Sequence, residues 1–359
     1  MGIGLPKRVN MVIQSLYHTY QRYRTLQTNK ISALPIVILM PHSACNCRCV
    51  MCDIWKDNAN LKQLTGDDVK GLLASLKKFG TTQVLMSGGE ALLNANFFRL
   101  CELLRKENIR ITLLSTGLLF RKNADQLLSL INDVIVSLDG DETTHNAIRN
   151  IPGAYTKLKD GVQYLKAVDP SFKITGRTVI HKLNYKIWPE IIRSAKEIGL
   201  DQISFLPADV TSTAFNRERP WDEPRQGEIM ISMAELPELS SITERILEKC
   251  RPEFANGFIA ESPEKIRKIH AYYAALHGLN PFPFKKCNAP WVSTVIEADG
   301  TVRPCFFHPS MGNIRKNSLS DILNSTDAIK FRKELDMEND PTCLKCVCYL
   351  NLSAGKNPT

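Results

Sequence analysis

Cys45-Asn46-Cys47-Arg48-Cys49-Val50-Met51-Cys52 follows directly on an apolar run at 35–40. Cys45, Cys49 and Cys52 stand in a C-x3-C-x2-C spacing. Three thiolates this close can cap three irons of a cubane [4Fe–4S] cluster and leave the fourth without a protein ligand. An iron with an open position can bind and activate a small molecule. A zinc knuckle competes with this reading, but a compact zinc site normally takes four ligands. The local fourth thiol, Cys47, lies too close to its neighbours to serve.

Around this stretch, from 35 to 206, short β-rich runs alternate with helical patterns. Strands are expected at 35–40, 83–87, 110–115, 133–138, 173–180 and 202–206. The first helix between them has a capping box from Thr65 to Asp68, an apolar stripe through Val69, Leu72, Leu73 and Leu76, and a stop at Gly80. Further helices are expected at 97–107, 123–131, 155–168 and 188–198. Such alternation builds a parallel sheet from βα units. Parallel sheets bind ligands at the carboxyl ends of their strands. The cysteine stretch and the run Ser87-Gly88-Gly89-Glu90 each follow a strand.

Taken with Ser87-Gly88-Gly89-Glu90, the cysteine spacing resembles the radical S-adenosylmethionine (SAM) superfamily. The resemblance covers about 35–206 and implies an α/β fold, a partial (β/α)6 parallel barrel. It implies that Cys45, Cys49 and Cys52 hold a [4Fe–4S] cluster whose open iron is chelated by the amino and carboxylate groups of SAM. By the same resemblance Gly88, Gly89 and Glu90 meet the SAM amino group: the glycines admit the backbone, and the carboxylate accepts from an ammonium. Ser137, at the end of a strand, resembles a position that contacts SAM polar groups, and Arg149 resembles the arginine that pairs with its carboxylate. Thr116-Gly117 falls in the third-strand loop near SAM. The family usually has an aromatic residue before the third cysteine; here Met51 stands there, so no side-chain contact with adenine is carried over.

A second cysteine group lies downstream. Cys287 is followed after seventeen residues by Cys305, then by Cys343-x2-Cys346 and Cys348. Between the first two, strands at 292–297 and 301–304 flank Asp299-Gly300, a strong hairpin signal, so Cys287 and Cys305 can approach at its base. A helix at about 320–335 carries the chain back to Cys343 and Cys346. Four such thiolates saturate one cubane cluster, and zinc fits the same geometry. Beside the first motif, this group resembles the SPASM/twitch auxiliary-cluster domain, a small α+β unit. A full SPASM domain has seven cysteines; the shorter tail here resembles the single-cluster twitch version, with Cys287, Cys305, Cys343 and Cys346 as ligands and Cys348 as a spare or alternative thiol.

Composition bounds the rest. The 359 residues, 43% hydrophobic, suffice for one large domain and a smaller one. The expected division is 1–34 (a basic amphipathic helix), 35–206 (barrel), 207–286 (a helical linker or lid), 287–350 (auxiliary-cluster domain) and 351–359 (tail). No run is long enough to span a membrane. The grouping of most of the eleven cysteines favours metal ligation in a reducing compartment, so a cytoplasmic protein is expected. The net charge is +9, and residues 1–52 hold six Lys/Arg and no acidic residue. The N-terminal segment has apolar residues at helical spacing: Val9, Val12, Leu16, Tyr20, Tyr23 and Leu26. The plain expectation is that this stripe packs on the main domain; the alternative is a membrane-surface or acidic-partner helix. No basic-aromatic groove pattern follows, so no nucleic-acid partner is expected.

The resemblance implies that reduction of the cluster by a flavodoxin or ferredoxin cleaves SAM, giving a 5′-deoxyadenosyl radical that abstracts hydrogen from carbon. One auxiliary [4Fe–4S] cluster then implies one of two outcomes. It accepts an electron in oxidising a small polar substrate such as a sugar or cyclitol, as in the aminocyclitol-oxidising dehydrogenases that the single-cluster spacing resembles. Alternatively it orients a peptide, as in maturases of ribosomal peptides or sulfatases. A third reading is a non-catalytic iron–sulfur electron carrier. Arg177, His181 and Asp209, at strand ends, are candidate base or substrate residues; the catalytic acid or base is not identified by sequence.

Overall fold

The computed structural model describes residues 7–356, with side chains from residue 16 onward. The side chains of Val9 and Val12, and the ends 1–6 and 357–359 of the expected N-terminal and tail segments, lie outside the described residues.

The six expected strands form, all parallel and in sequence order: β1 (Ile36–Leu39), β2 (Gln83–Met86), β3 (Arg110–Ser115), β4 (Asp133–Ser137), β5 (Lys173–Ile180) and β6 (Gln202–Pro207). Side chains alternate between the faces of a strand, and on one face of β1–β4 Val37, Leu39, Val84, Met86, Ile111, Leu113, Val134 and Val136 are all fully buried. After the N-terminal helix α1 (Lys7–Thr28), helix α2 (Gly66–Lys78) shows how local chemistry sets the boundaries. Thr65 Oγ1 accepts from Asp68 N at 3.2 Å, and the Asp68 carboxylate accepts from Thr65 N at 2.8 Å. Val69, Leu72 and Leu76 then face the core.

The C-terminal segment extends the barrel sheet. Strand β7 (Ser293–Ile296) pairs in parallel with β1 on the side away from β2, from Ile36↔Ser293 to Leu39↔Ile296. Strands β8 (Thr301–Arg303) and β9 (Gly312–Asn313) follow antiparallel, completing a nine-stranded sheet. Asp299-Gly300 makes the expected turn, with Gly300 at φ +86 where a Cβ would be strained.

Between β6 and β7 the chain forms helices Glu223–Ile229, Leu236–Lys249, Arg251–Ala255 and Pro263–Leu276. The Tyr273 hydroxyl donates to Ile180 O at 2.6 Å and accepts from Ala208 N at 3.0 Å, tying the last of these to the ends of β5 and β6. The loop before these helices crosses the carboxyl ends of the strands.

Helix α1 docks through one face: Leu26 packs beside Ile36, Trp291 and Val292, and Thr25 Oγ1 accepts from Ser32 N and Ala33 N. The expected packing of the stripe fails for three of its members. Leu16, Tyr20 and Tyr23 point outward, because the face carrying His18, Arg22 and Thr25 has the hydrogen bonds and the fit to the body.

Candidate active site

A cavity of about 840 Å³ opens at the carboxyl ends of the strands. Cys45, Cys49 and Cys52 line it, as do Ser87, Gly88 and Gly89 after β2, Thr116 after β3 and Ser137 at the end of β4. Cys47 is buried and takes no part in the lining.

The cysteine loop is held from several directions. Asn58 Oδ1 accepts from Cys45 N at 3.0 Å, and Asn58 Nδ2 donates to Cys45 O at 2.9 Å. Arg48 N and Val50 N donate to Arg149 O and Ile148 O, fixing the loop to the end of helix Glu142–Arg149. Gly89 lies so close to the loop that a Cβ there would meet Ala44 O at 2.1 Å, a contact only glycine permits.

Arg149 reaches the thiols: its Nη1 donates to Cys49 Sγ at 3.4 Å, and its other arm pairs with the buried Asp139. Burial works against the charge, but Asp139 and the neighbouring cysteines outweigh it and hold the guanidinium protonated. A hydrogen bond from the Cys47 thiol, and then Arg149, hold the Cys49 thiol below its ordinary value against burial. Cys52 is pushed up to about 12 by burial and by Cys49, which outweigh the Ile54 N–H and the Arg217 charge. Three thiols on one wall, one already drawn toward thiolate, fit a cluster.

Glu90 does not face the cavity. Its carboxylate is fully buried and accepts from Leu92 N, Ser115 Oγ, Thr116 N and Thr116 Oγ1 at 2.7–3.1 Å. Thr116 Oγ1 is in turn 3.0 Å from Asn46 Oδ1, which links the glycine turn, the β3 end and the cysteine loop.

Arg177 lines the cavity, and its buried Nε finds no partner among the described residues. His181 is wholly buried below it. Asp209 lines the cavity but is paired with Arg217 at 2.9 Å.

The loop after β6 and the helix Glu223–Ile229 that follows it supply contacts that the sequence did not signal. Arg217 stacks on Trp221 at 3.8 Å and donates to Met51 O at 3.4 Å. Arg225 stacks on the same ring at 4.7 Å and donates to Val50 O. Trp221 Nε1 donates to Asp53 Oδ2 at 2.7 Å. The loop thus grips the backbone of the cysteine stretch. Its residues Phe215 and Asn216 both hold positive φ, +60 and +64, and Phe215 meets Phe307 edge-on at 6.3 Å on the cavity wall. Two successive non-glycine residues in this region are a strained arrangement of the kind found at functional sites.

On the far side stand the later cysteines. Burial first raises their thiols: Cys305, to about 11, also senses Cys287 and Cys348, and Cys343, to about 12, senses the Asp340 carboxylate and then Cys305 and Cys287. Cys346 is raised further and senses Cys348 and Cys305. Five thiols therefore share one neighbourhood. The C-x2-C turn is braced by Lys285, whose Nζ donates to Leu344 O and Cys346 O at 2.7 and 2.6 Å. His308 Nε2 lies 3.4 Å from Cys343 Sγ. Cys348 opens onto the main cavity, whereas Cys346 lines a separate chamber of about 240 Å³. A four-thiol set with a charged brace fits a second cluster.

Residues 39–201 match the radical SAM superfamily, and residues 287–347 match an iron–sulfur cluster-binding domain, SPASM. The chain is 25% identical over 328 residues to an AdoMet-dependent heme synthase of Methanosarcina barkeri, covering 87% of this chain and 88% of that protein. It is 26% identical over 337 residues to an Fe-coproporphyrin III synthase of the same organism, covering 87% and 80%. Among solved structures, Streptococcus suis SuiB bound to its precursor peptide SuiA superposes with a TM-score of 0.61 at 16% identity, covering 97% of this chain and 78% of SuiB.

Proposed function

The chain belongs to the radical SAM superfamily and carries a C-terminal iron–sulfur cluster-binding domain, and on that basis we propose that it oxidises a small polar molecule held between two clusters. Cys45, Cys49 and Cys52 would hold the cluster that binds SAM, and Cys287, Cys305, Cys343 and Cys346 an auxiliary one. When bound, the first cluster and SAM supply a 5′-deoxyadenosyl radical that takes hydrogen from a substrate carbon, and the second supplies an acceptor for the electron that remains.

The chain's own residues position and shield. Gly88 and Gly89 let the backbone come close to the SAM amino group, and Ser137 offers a hydroxyl to its polar atoms. Arg149 sets its charge beside Cys49. Glu90, through Ser115 and Thr116, keeps the β3 end in register with the cysteine loop. Phe215 and Phe307 limit water at the cavity wall, which protects a radical from quenching. Glu218, Glu297 and Asp299 also face the cavity, Glu297 paired with Arg303 and Asp299 accepting from Thr301 N, and Glu218 would take the proton released in a two-electron oxidation.

One observation carries this reading: the cavity lined by Cys45, Cys49 and Cys52 is also lined by Phe306, Val347 and Cys348, the chain neighbours of the proposed auxiliary ligands Cys305 and Cys346. A substrate radical formed there lies next to the auxiliary centre. The matches over most of both lengths to two enzymes named for iron-tetrapyrrole products support a small-molecule substrate over a peptide.

The test begins with reconstituted, reduced enzyme, SAM and deuterated cell metabolites, reading deuterium in 5′-deoxyadenosine to find the substrate. A Cys343→Ala/Cys346→Ala variant should then retain hydrogen abstraction while the oxidised product falls sharply. If that variant instead fails to bind substrate at all, the auxiliary centre is a binding element, and a peptide maturase becomes the better account.

A further inference from the structure

We propose that α1 is a docking helix that seats the protein on an anionic lipid surface. Leu16, Tyr20 and Tyr23 follow one another at the spacing that places residues on one helical face. They are 65%, 59% and 55% exposed, with Tyr17 beside them at 57%. Four large side chains left in water on one helix form a patch of the kind that marks an interaction site.

The patch is not a frayed end, because the opposite face is fixed to the body. His18 packs on Gly80 so closely that a Cβ there would lie 2.4 Å from the imidazole. Arg22 donates to the carbonyls of Ala354 and Lys356. Thr25 and Leu26 engage the segment leading into β1 and its neighbours. The anchoring holds the aromatic face outward.

Charge identifies the occupant. Residues 1–52 contain six Lys/Arg and no acidic residue. Of these, Arg24 and Lys30 are exposed on and just beyond the helix, while Arg22 is held by the body on the opposite face. A second copy of the same face would set cation against cation. An anionic bilayer meets both features: tyrosine rings sit at the headgroup level, and each nearby Lys or Arg adds attraction to acidic lipids. Among the described residues no helix is long and apolar enough to cross a membrane, so the helix lies on the surface rather than spanning it.

The experiment uses the full, reconstituted chain and sedimentation with vesicles. It should bind vesicles of phosphatidylcholine mixed with phosphatidylglycerol, bind phosphatidylcholine alone far less, and release as salt rises. Leu16→Ser/Tyr20→Ser/Tyr23→Ser should lower partitioning about tenfold or more, from the apolar area withheld, with circular dichroism and SAM cleavage unchanged. Arg24→Glu should weaken binding and flatten its salt dependence. Failure to bind the anionic vesicles, or binding that the triple variant leaves intact, would overturn the proposal. So would a dimer in analytical ultracentrifugation that the triple variant abolishes, since a second copy would then cover this face.

Discussion

Arg149 Nη1 lies 3.4 Å from Cys49 Sγ, while the same guanidinium is paired with the wholly buried Asp139. The helix that ends at Arg149 thereby carries one positive charge to the cysteine loop and brings its counter-ion with it. Arg149→Met would strand Asp139 without a partner, and breaking one side of a buried pair costs about 3–5 kcal/mol. Urea unfolding of the metal-free protein should show that loss, and Asp139→Leu added to Arg149→Met should recover most of it.

Gly89→Ala and Gly66→Ala make a matched pair. A Cβ at Gly89 would meet the Ala44 carbonyl at 2.1 Å, whereas nothing lies within 4 Å at Gly66 in the first turn of α2. Gly89→Ala should therefore shift the cysteine loop and lower iron uptake at the barrel. Gly66→Ala should leave iron unchanged and stabilise the fold by up to about 1 kcal/mol.

Two buried histidines set an acid limit on stability. Burial first, and then the Arg149 charge, lower His145 and His181 from 6.5 to about 3. Between those values the unfolded chain takes up protons that the folded one refuses, so stability is full above about 6.5 and declines as the pH falls toward 3. The slope is at most about 1.4 kcal/mol per pH unit for each residue. His181→Gln should flatten the fall in denaturant midpoint between pH 6.5 and 4 while leaving the neutral side of the curve in place.

Cys346 and Cys348 should behave differently. The Cys346 thiol donates to Cys348 O at 3.0 Å, and its neighbours Leu344 and Cys346 itself are braced by Lys285. With Cys346 as the ligand, Cys346→Ala should lower the iron content by about four per chain, while Cys348→Ala should keep it. Iron analysis of the two variants distinguishes them.

What was legible in the sequence was local. Runs of apolar residues found the six strands, Thr65 and Asp68 announced the start of α2, and Asp299-Gly300 marked the hairpin. Each signal lies within a few residues of the structure it causes. Pairings between distant segments left no such mark: β7 joins β1 across more than 250 residues, with register set by the assembled sheet. The grip of Arg217 and Arg225 on Met51 O and Val50 O was equally silent, because a backbone carbonyl carries no residue identity. For α1 the apolar spacing marks a stripe, but its direction is set by hydrogen bonds that Arg22 donates and Thr25 accepts on the other face.

The account rests on two clusters facing one cavity, and electron paramagnetic resonance of the anaerobically reconstituted, dithionite-reduced protein tests it most directly. It should contain about eight irons per chain with negligible zinc, as two cubane signals. SAM should perturb only the signal that Cys45→Ala/Cys49→Ala/Cys52→Ala removes, with release of 5′-deoxyadenosine. A single cubane signal, with zinc retained by the C-terminal cysteines, would contradict the account.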